Sequence, residues 1–497
     1  EQVQIMKRRG GVGFDVSNIR PKNLATSNAA KTTSGLEVFL DRFSNSCREV
    51  AQGGRRGALM ISLSVHHPQI RDFIKIKRDL TRVTGANISI RLSEEFMRAV
   101  RGGDPIQLRF PVDAKEPIVE EWVSAQDLWH EIVESAHASA EPGLLFWDTA
   151  KRMTPSDIYE AEGFGSTSTN PCGEIILSPY DSCRLMLINL TSFVKNAWTD
   201  DAVFDFDHFG EISQKAQRLM DDMIDLEIEK IDKILAKIET DPESPDAKQP
   251  EINLWNTVRA QAINGRRTGL GITGIGDALA MLGITYGSKA SIRMTESIYR
   301  GLAVNSYVSS MIMAQERGAF EVHDPSREED HPFLDRIFDA IDETDLLQEG
   351  LTSREWNRRW GRRNIANTTT APAGSVSVLT QTTSGIEPAF MLHYTRRKKI
   401  NPNDKDAKVD FVDELGDKWS EFSVYHHGFK SWMDTLNEAD LNMYPVEDLV
   451  GSSPYAGATA NDIDWVSKVD LQAAAQKWVC HAISNTTNLP ADIDVET

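Results

Sequence analysis

Cysteine is scarce in this chain: four in 497 residues, with no CxxC pair and no ladder of short, even spacings. That excludes a secreted disulfide scaffold and predicts a reducing, cytoplasmic setting. No apolar run reaches the roughly 20 residues that a membrane-spanning helix needs, and the first nine residues lack the pattern of a signal peptide, so no membrane partner is expected. Positive charge is also in deficit, with 54 Lys and Arg against 74 Asp and Glu and a formal charge of −20. Nucleic acid backbones reward clustered cations, so no nucleic acid partner is expected. Local Gly-rich and Arg-bearing loops can still hold small anions whatever the global sign. The eleven histidines form no HExxH motif and no ligand-like grouping with cysteine, so no metal is expected. The pairs His66-His67 and His426-His427 read as core or surface residues. The chain opens on Glu1 rather than methionine, which suggests a piece lacking N-terminal and C-terminal segments.

What is present is the composition of an ordinary folded protein, 40% hydrophobic and 26% charged. The N-terminal third alternates Gly-rich loops (Gly10 to Gly13, Gly53 to Gly57) with a helical pattern from Leu36 to Val50 and a buried-strand run from Leu59 to Val65. Alternating strand, loop and helix predicts an α/β architecture with much parallel pairing. From Phe206 to Ile238, apolar residues at Met220, Ile224, Ile228, Ile231, Leu235 and Ile238 mark a long helix. Its stripe suits a coiled-coil seam or, preferably, packing on the same domain. Asp241 to Asp246 stops it as a loop, and helical composition resumes over Glu251 to Ala262. No internal repeat or domain-scale linker is visible, so one domain is expected over 1–497.

Four segments bear on chemistry. Gly269-Leu270-Gly271-Ile272-Thr273-Gly274 satisfies GxGxxG by letter, but Ala260 to Arg267 ahead of it is no apolar strand. A dinucleotide fingerprint needs one, so close helix packing through small residues is the better reading. Thr368 to Ser377 reads as a β-rich run that turns through small residues into a helix, whose first amides suit an anion. Asn170-Pro171-Cys172-Gly173-Glu174 sets a thiol between an amide and a carboxylate, and Cys183 follows eleven residues after Cys172. A thiol can hold a radical, a carboxylate can take a hydroxyl proton, an amide can orient a sugar, and a second thiol can supply electrons. The alternatives are an inert buried thiol or a Cys-His nucleophile, for which no nearby histidine speaks. Cys47 and Cys480 fall in helical patterns, 44–50 and 473–483, and read as packing residues.

Arg9 to Asp15, Gln52 to Ala58, Asn170 to Glu174, Pro179 to Cys183, Gly265 to Gly269, Ser384 to Pro388 and Ser484 to Pro490 together resemble the catalytic subunit of ribonucleotide reductase. The wording from Cys172 to Cys183 is most similar to the adenosylcobalamin-dependent class II enzymes; the alternative is a radical supplied by a separate metal-containing subunit. A non-catalytic nucleotide-binding homologue is a further alternative. The resemblance implies a ten-stranded α/β barrel of two parallel five-stranded halves, with the radical cysteine on a central loop. It implies a thiyl at Cys172, a base at Glu174, a sugar contact at Asn170 and a reducing thiol at Cys183. It assigns a substrate-phosphate turn to Pro372, Ala373, Gly374, Ser375 and Val376. Two effector-reading loops are implied, with Asp15, Ser17 and Arg20 on one and Gln52, Arg55 and Arg56 on the other. A ribonucleoside diphosphate or triphosphate substrate, a deoxynucleotide or ATP effector, a thioredoxin-like reductant and a homodimer follow from the same resemblance. One departure stands out: the family's other reducing thiol precedes the Gly10 loop, and no cysteine precedes Cys47 here.

Overall fold

The computed structural model describes residues 1–497 apart from 51–54, 348–349, 402, 405, 438–442 and 496–497. The parallel strands fall into two sets. In the first, Val12–Asp15, Leu59–Ser64, Asn87–Leu92 and Gly143–Phe146 form a four-stranded sheet in that order, all parallel. Leu59–Ser64 lies inside this sheet and is buried along nearly its whole length, as its unbroken apolar run requires of a strand covered on both faces. The helices Leu36–Glu49, Ile70–Lys75 and Ala125–Ser139 pack their apolar residues into the same core.

In the second set, Leu185–Asn189 pairs in parallel with Gly269–Thr273. Leu270 then bridges in parallel to Thr368, and Thr370 to Ile483. Gly269–Thr273 is therefore a fully buried strand, not a helix-packing segment. Its glycines answer a strand-to-strand approach: a Cβ on Gly271 would sit 2.7 Å from the Thr369 carbonyl oxygen, and one on Gly269 would sit 2.8 Å from that of Arg184.

The long helix runs from Phe206 to Thr240 and buries Met220, Ile224, Ile231, Ile234 and Ile238. Its partners lie in the same chain: the Lys289–Arg317 helix, and Leu254, Trp255 and Val258 of the next helix. That next helix starts at Pro245, six residues ahead of the sequence expectation. Ser244 accepts the Ala247 amide as N-cap, and Pro245 stands at the first helical position, where its missing N–H costs nothing. Cys480 is buried as expected but is not helical, since the last long helix ends at Gln476. His66 and His67 are core residues, while His427 is exposed. Among the described residues, no helix is long and apolar enough to cross a membrane.

Candidate active site

Ser168–Thr169 pairs antiparallel with Ile176–Leu177, so Asn170 to Ile175 forms the tip of a short hairpin. The tip is locked by its own backbone: the Asn170 amide donates to the Ile175 carbonyl at 3.2 Å, and the Gly173 amide to the Asn170 carbonyl at 3.0 Å. Gly173 turns the chain at a φ of +87°, in the left-handed region that glycine adopts without strain. The hairpin touches both parallel sets. On one side Ser62 Oγ lies 3.2 Å from Ser168 Oγ, and Asn87 Nδ2 donates to the Pro171 carbonyl at 3.0 Å. A Cβ on Gly13 would fall 1.9 Å from the Thr169 carbonyl oxygen and one on Gly11 2.6 Å from the Pro171 ring. Gly11 and Gly13 therefore serve close approach of the hairpin. On the other side the Glu174 carbonyl accepts from Thr369 Oγ1 at 2.8 Å and from the Ala482 amide at 2.9 Å.

Three of the four expected catalytic side chains meet here around Asn170. Its Oδ1 accepts the Ile175 amide at 3.0 Å and its Nδ2 points to Cys183 Sγ at 3.6 Å. Glu174 is 1% exposed, and its Oε2 has no hydrogen-bond partner. Burial pushes its carboxyl above the ordinary range, a shift partly offset by the Asn170 amide. Cys183 is raised by burial first, then by Glu174 and Cys172, with Arg184 pulling the other way. Cys172 completes the group at the tip. It remains exposed, and burial followed by the nearby Glu174 charge raises its thiol as well.

A nucleophilic cysteine needs a depressed pKa and a cationic neighbour, whereas both thiols here are held as S–H. An S–H beside a carboxylate suits hydrogen-atom transfer with proton removal by the carboxylate. Raising a carboxyl toward neutrality strengthens it as a base.

A buried ionic frame fixes the distance between hairpin and second thiol. Arg267 is 1% exposed; its Nε meets Asp181 at 2.6 Å, and its other nitrogens donate to the Ile176 carbonyl and Ser178 Oγ. Arg184 pairs with Glu227 and donates to the Arg267 carbonyl at 2.9 Å. Sequence reasoning recognised Gly265 to Gly269 as a motif but gave Arg267 no task. Only its burial reveals one.

The turn Pro372 to Val376 opens a helix at Gly374, with Gly374, Ser375 and Val376 exposed and Ala373 buried. The Ala373 amide donates to Ser384 Oγ at 3.0 Å. Three residues separate Pro372 from Thr369, which touches the Glu174 carbonyl, so the turn starts within roughly 11 Å of that contact. Glu387 of the Ser384 to Pro388 motif holds Lys468 Nζ at 2.7 Å and the Thr486 amide at 2.6 Å.

The expected effector positions divide. Asp15 accepts from Ser17 Oγ at 2.7 Å and from Arg91 at 2.5 Å, and Ser17 Oγ accepts the Ser64 amide at 2.8 Å. Both residues are internal struts. Arg20, Arg55 and Arg56 are exposed, and Gln52 lies outside the described residues. Among the described residues, one acidic group could hold a cation, Asp221 with Asp222 and Asp225. Arg266, Arg317 and Arg363 already pair with it, so its charge is compensated.

The chain is 29% identical over its whole length to the "Vitamin B12-dependent ribonucleoside-diphosphate reductase" of Mycobacterium tuberculosis (strain CDC 1551 / Oshkosh), covering 61% of that protein. It is 28% identical over 98% of its length to the protein of the same name from Thermoplasma acidophilum, covering 55% of it. It is 26% identical over its whole length to the "Vitamin B12-dependent ribonucleotide reductase" of Streptomyces clavuligerus, covering 52% of it. The chain thus spans between half and just over three fifths of the length of these curated relatives. The profile of the family described as "Ribonucleotide reductase, barrel domain" matches residues 1–497, and the chain belongs to that family.

Proposed function

We propose that this chain is the catalytic barrel of an adenosylcobalamin-dependent ribonucleotide reductase acting on a ribonucleoside diphosphate or triphosphate. The observation that carries this reading is the hairpin tip: an accessible thiol at Cys172 beside a buried carboxylate with a free oxygen, and a second S–H at Cys183 reached through Asn170. The two parallel sets are read as the halves of a ten-stranded barrel with the hairpin as its central loop. The hairpin's bonds to both sets support that arrangement.

In this reading the Cys172 sulfur, as a thiyl, takes the hydrogen atom from C3′ of the ribose and becomes S–H. Glu174 Oε2 accepts the 3′-hydroxyl proton, and Asn170 orients the sugar. The C2′–O bond breaks and the hydroxyl leaves as water, with a proton from a reducing thiol. Cys183 and a further thiol supply two electrons and two hydrogens, one as the proton that leaves in water and one that forms the new C2′–H bond, and end as a disulfide; Glu174 returns its proton to the 3′ oxygen, and Cys172 returns its hydrogen atom to C3′. Cys47 and Cys480 are both sealed in cores, so the partner of Cys183 is a thiol outside the described four. The turn at Gly374 to Val376 offers its exposed amides to the substrate phosphates. The exposed Arg20, Arg55 and Arg56 would read a deoxynucleotide or ATP effector, with a homodimer and a thioredoxin-like reductant as further partners.

Access at the tip supports the cofactor reading: Cys172 is exposed and the space where a Gly173 Cβ would stand is open, so the thiol side of the tip can be approached. Cys172 and Gly173 would face the cofactor. When bound, adenosylcobalamin supplies the radical equivalent that makes the thiyl. The test is the full-length protein with nucleotide, dithiol and adenosylcobalamin and no second subunit. Deoxynucleotide formation is expected; product only on addition of a metal-containing radical subunit would overturn the cobalamin assignment.

A further inference from the structure

The turn Pro372 to Val376 is not held by its own helix alone. The Thr382 amide donates to the Ser377 carbonyl at 3.0 Å, and Ser384 Oγ receives the Ala373 amide at 3.0 Å. The segment Thr382 to Ser384 therefore holds the Ala373 end of the turn and caps, at Ser377, the helix that follows it. That short segment is in turn gripped from beneath by Asp277, which is 2% exposed. Asp277 Oδ2 accepts the Thr383 amide at 2.6 Å, and its own amide donates to Thr383 Oγ1 at 3.4 Å. The other carboxylate oxygen faces away and is fixed independently: His426 Nε2 donates to Oδ1 at 2.6 Å and the Tyr455 hydroxyl at 2.7 Å. Space around this junction is tight, since a Cβ on Gly428 would lie 2.1 Å from the Tyr455 hydroxyl and 2.7 Å from Oδ1.

We infer that Asp277 is a positioning residue for substrate phosphate, with His426 and Tyr455 fixing its rotamer so that Oδ2 sets the height of Thr383 and the turn above it. A carboxylate with both oxygens bonded by donors from separate segments has one orientation available. Amides that cradle a phosphate must be placed to within about 0.5 Å to bind it well. The inference rests on the reading of Pro372 to Val376 as the phosphate turn. Asp277 bonds to Thr383, His426 and Tyr455 and to none of Cys172, Glu174 and Asn170, so its effect is assigned to nucleotide binding rather than to the radical steps.

The experiment compares KM and kcat in the full-length enzyme for Asp277→Asn, Tyr455→Phe and Ser375→Glu, with thermal melting of each. Asp277→Asn puts a donor against donors and is expected to raise the nucleotide KM roughly tenfold while kcat stays within about threefold. Should Asp277→Asn fail to fold, Tyr455→Phe carries the test, with an expected KM rise of roughly two- to fivefold. Ser375→Glu sets a like charge against phosphate and tests the turn itself. Unchanged KM in Ser375→Glu would sink the phosphate-turn reading. A raised KM there, with unchanged KM in the folded Asp277 or Tyr455 variant, or a loss confined to kcat, would overturn the role of Asp277 alone.

Discussion

Glu174 has the two properties a buried general base needs, a free oxygen and a carboxyl held above its ordinary value of 4.5. Replacing it with glutamine removes the proton acceptor but keeps the shape. The expected loss in kcat is on the order of 10² to 10⁴, with KM little changed, read by steady-state kinetics. The raised carboxyl also sets a pH dependence. A carboxylate acting as the proposed base must be ionised, so the acid limb of kcat/KM is expected above pH 4.5. For stability the sign is opposite to that of a salt-bridged acid. Between its unfolded and folded pKa values the native state holds a proton that the unfolded chain has lost, so stability falls as pH rises through that window. Glu174→Gln is therefore expected to melt higher than the parent at neutral pH and to match it at acid pH. Equal melting temperatures at both would contradict a strained carboxylate.

At the scale of elements, the hairpin is set by glycines on one side and ion pairs on the other. Gly13→Ala drives a Cβ into the Thr169 carbonyl, where backbone meets backbone and neither yields cheaply. The expected cost is about 1–3 kcal/mol in denaturant unfolding, together with reduced turnover, because the strand and the Cys172 hairpin must part. Arg267→Met takes from the buried Asp181 its close ion-pair partner, leaving Arg184 at 3.8 Å, and should cost up to about 3–5 kcal/mol. A chain that loses less than about 1 kcal/mol would show that the frame between Ser178 and Cys183 is not held this way.

Those same contacts mark the limit of what the sequence made legible. Asn170, Cys172, Glu174 and Cys183 could be read from residue type and spacing, because each answers a separate chemical need. The strand Leu59–Ser64 and the long helix from Phe206 could be read from hydrophobic pattern. Gly269–Thr273 could not, because glycine in a strand and glycine in helix packing look alike until a neighbour's carbonyl is seen 2.7 Å from where a Cβ on Gly271 would stand. Cys480 was read as helical because Ala473 to Ile483 has helix-like composition. Its place depends on pairing with Thr368, more than a hundred positions earlier, which no local pattern carries. Arg267 and Asp277 were silent for the same reason, since an ordinary charged letter becomes a structural tie only once it is buried.

At the scale of the whole molecule, two parallel sets share one hairpin, and the site exists only where they meet. The Thr369 hydroxyl and the Ala482 amide reach the Glu174 carbonyl from segments almost two hundred and more than three hundred residues downstream. The site should therefore be lost with global unfolding rather than before it. Denaturant titration followed by alkylation of the half-buried Cys183 and by circular dichroism should give coincident midpoints. Cys172 is the residue proposed to carry the radical. That role is tested most directly by assaying deoxynucleotide formation in the full-length protein and its Cys172→Ala variant, with adenosylcobalamin and dithiol supplied. Product is expected from the parent and none from the folded variant; product from Cys172→Ala at the parent's rate would contradict that role.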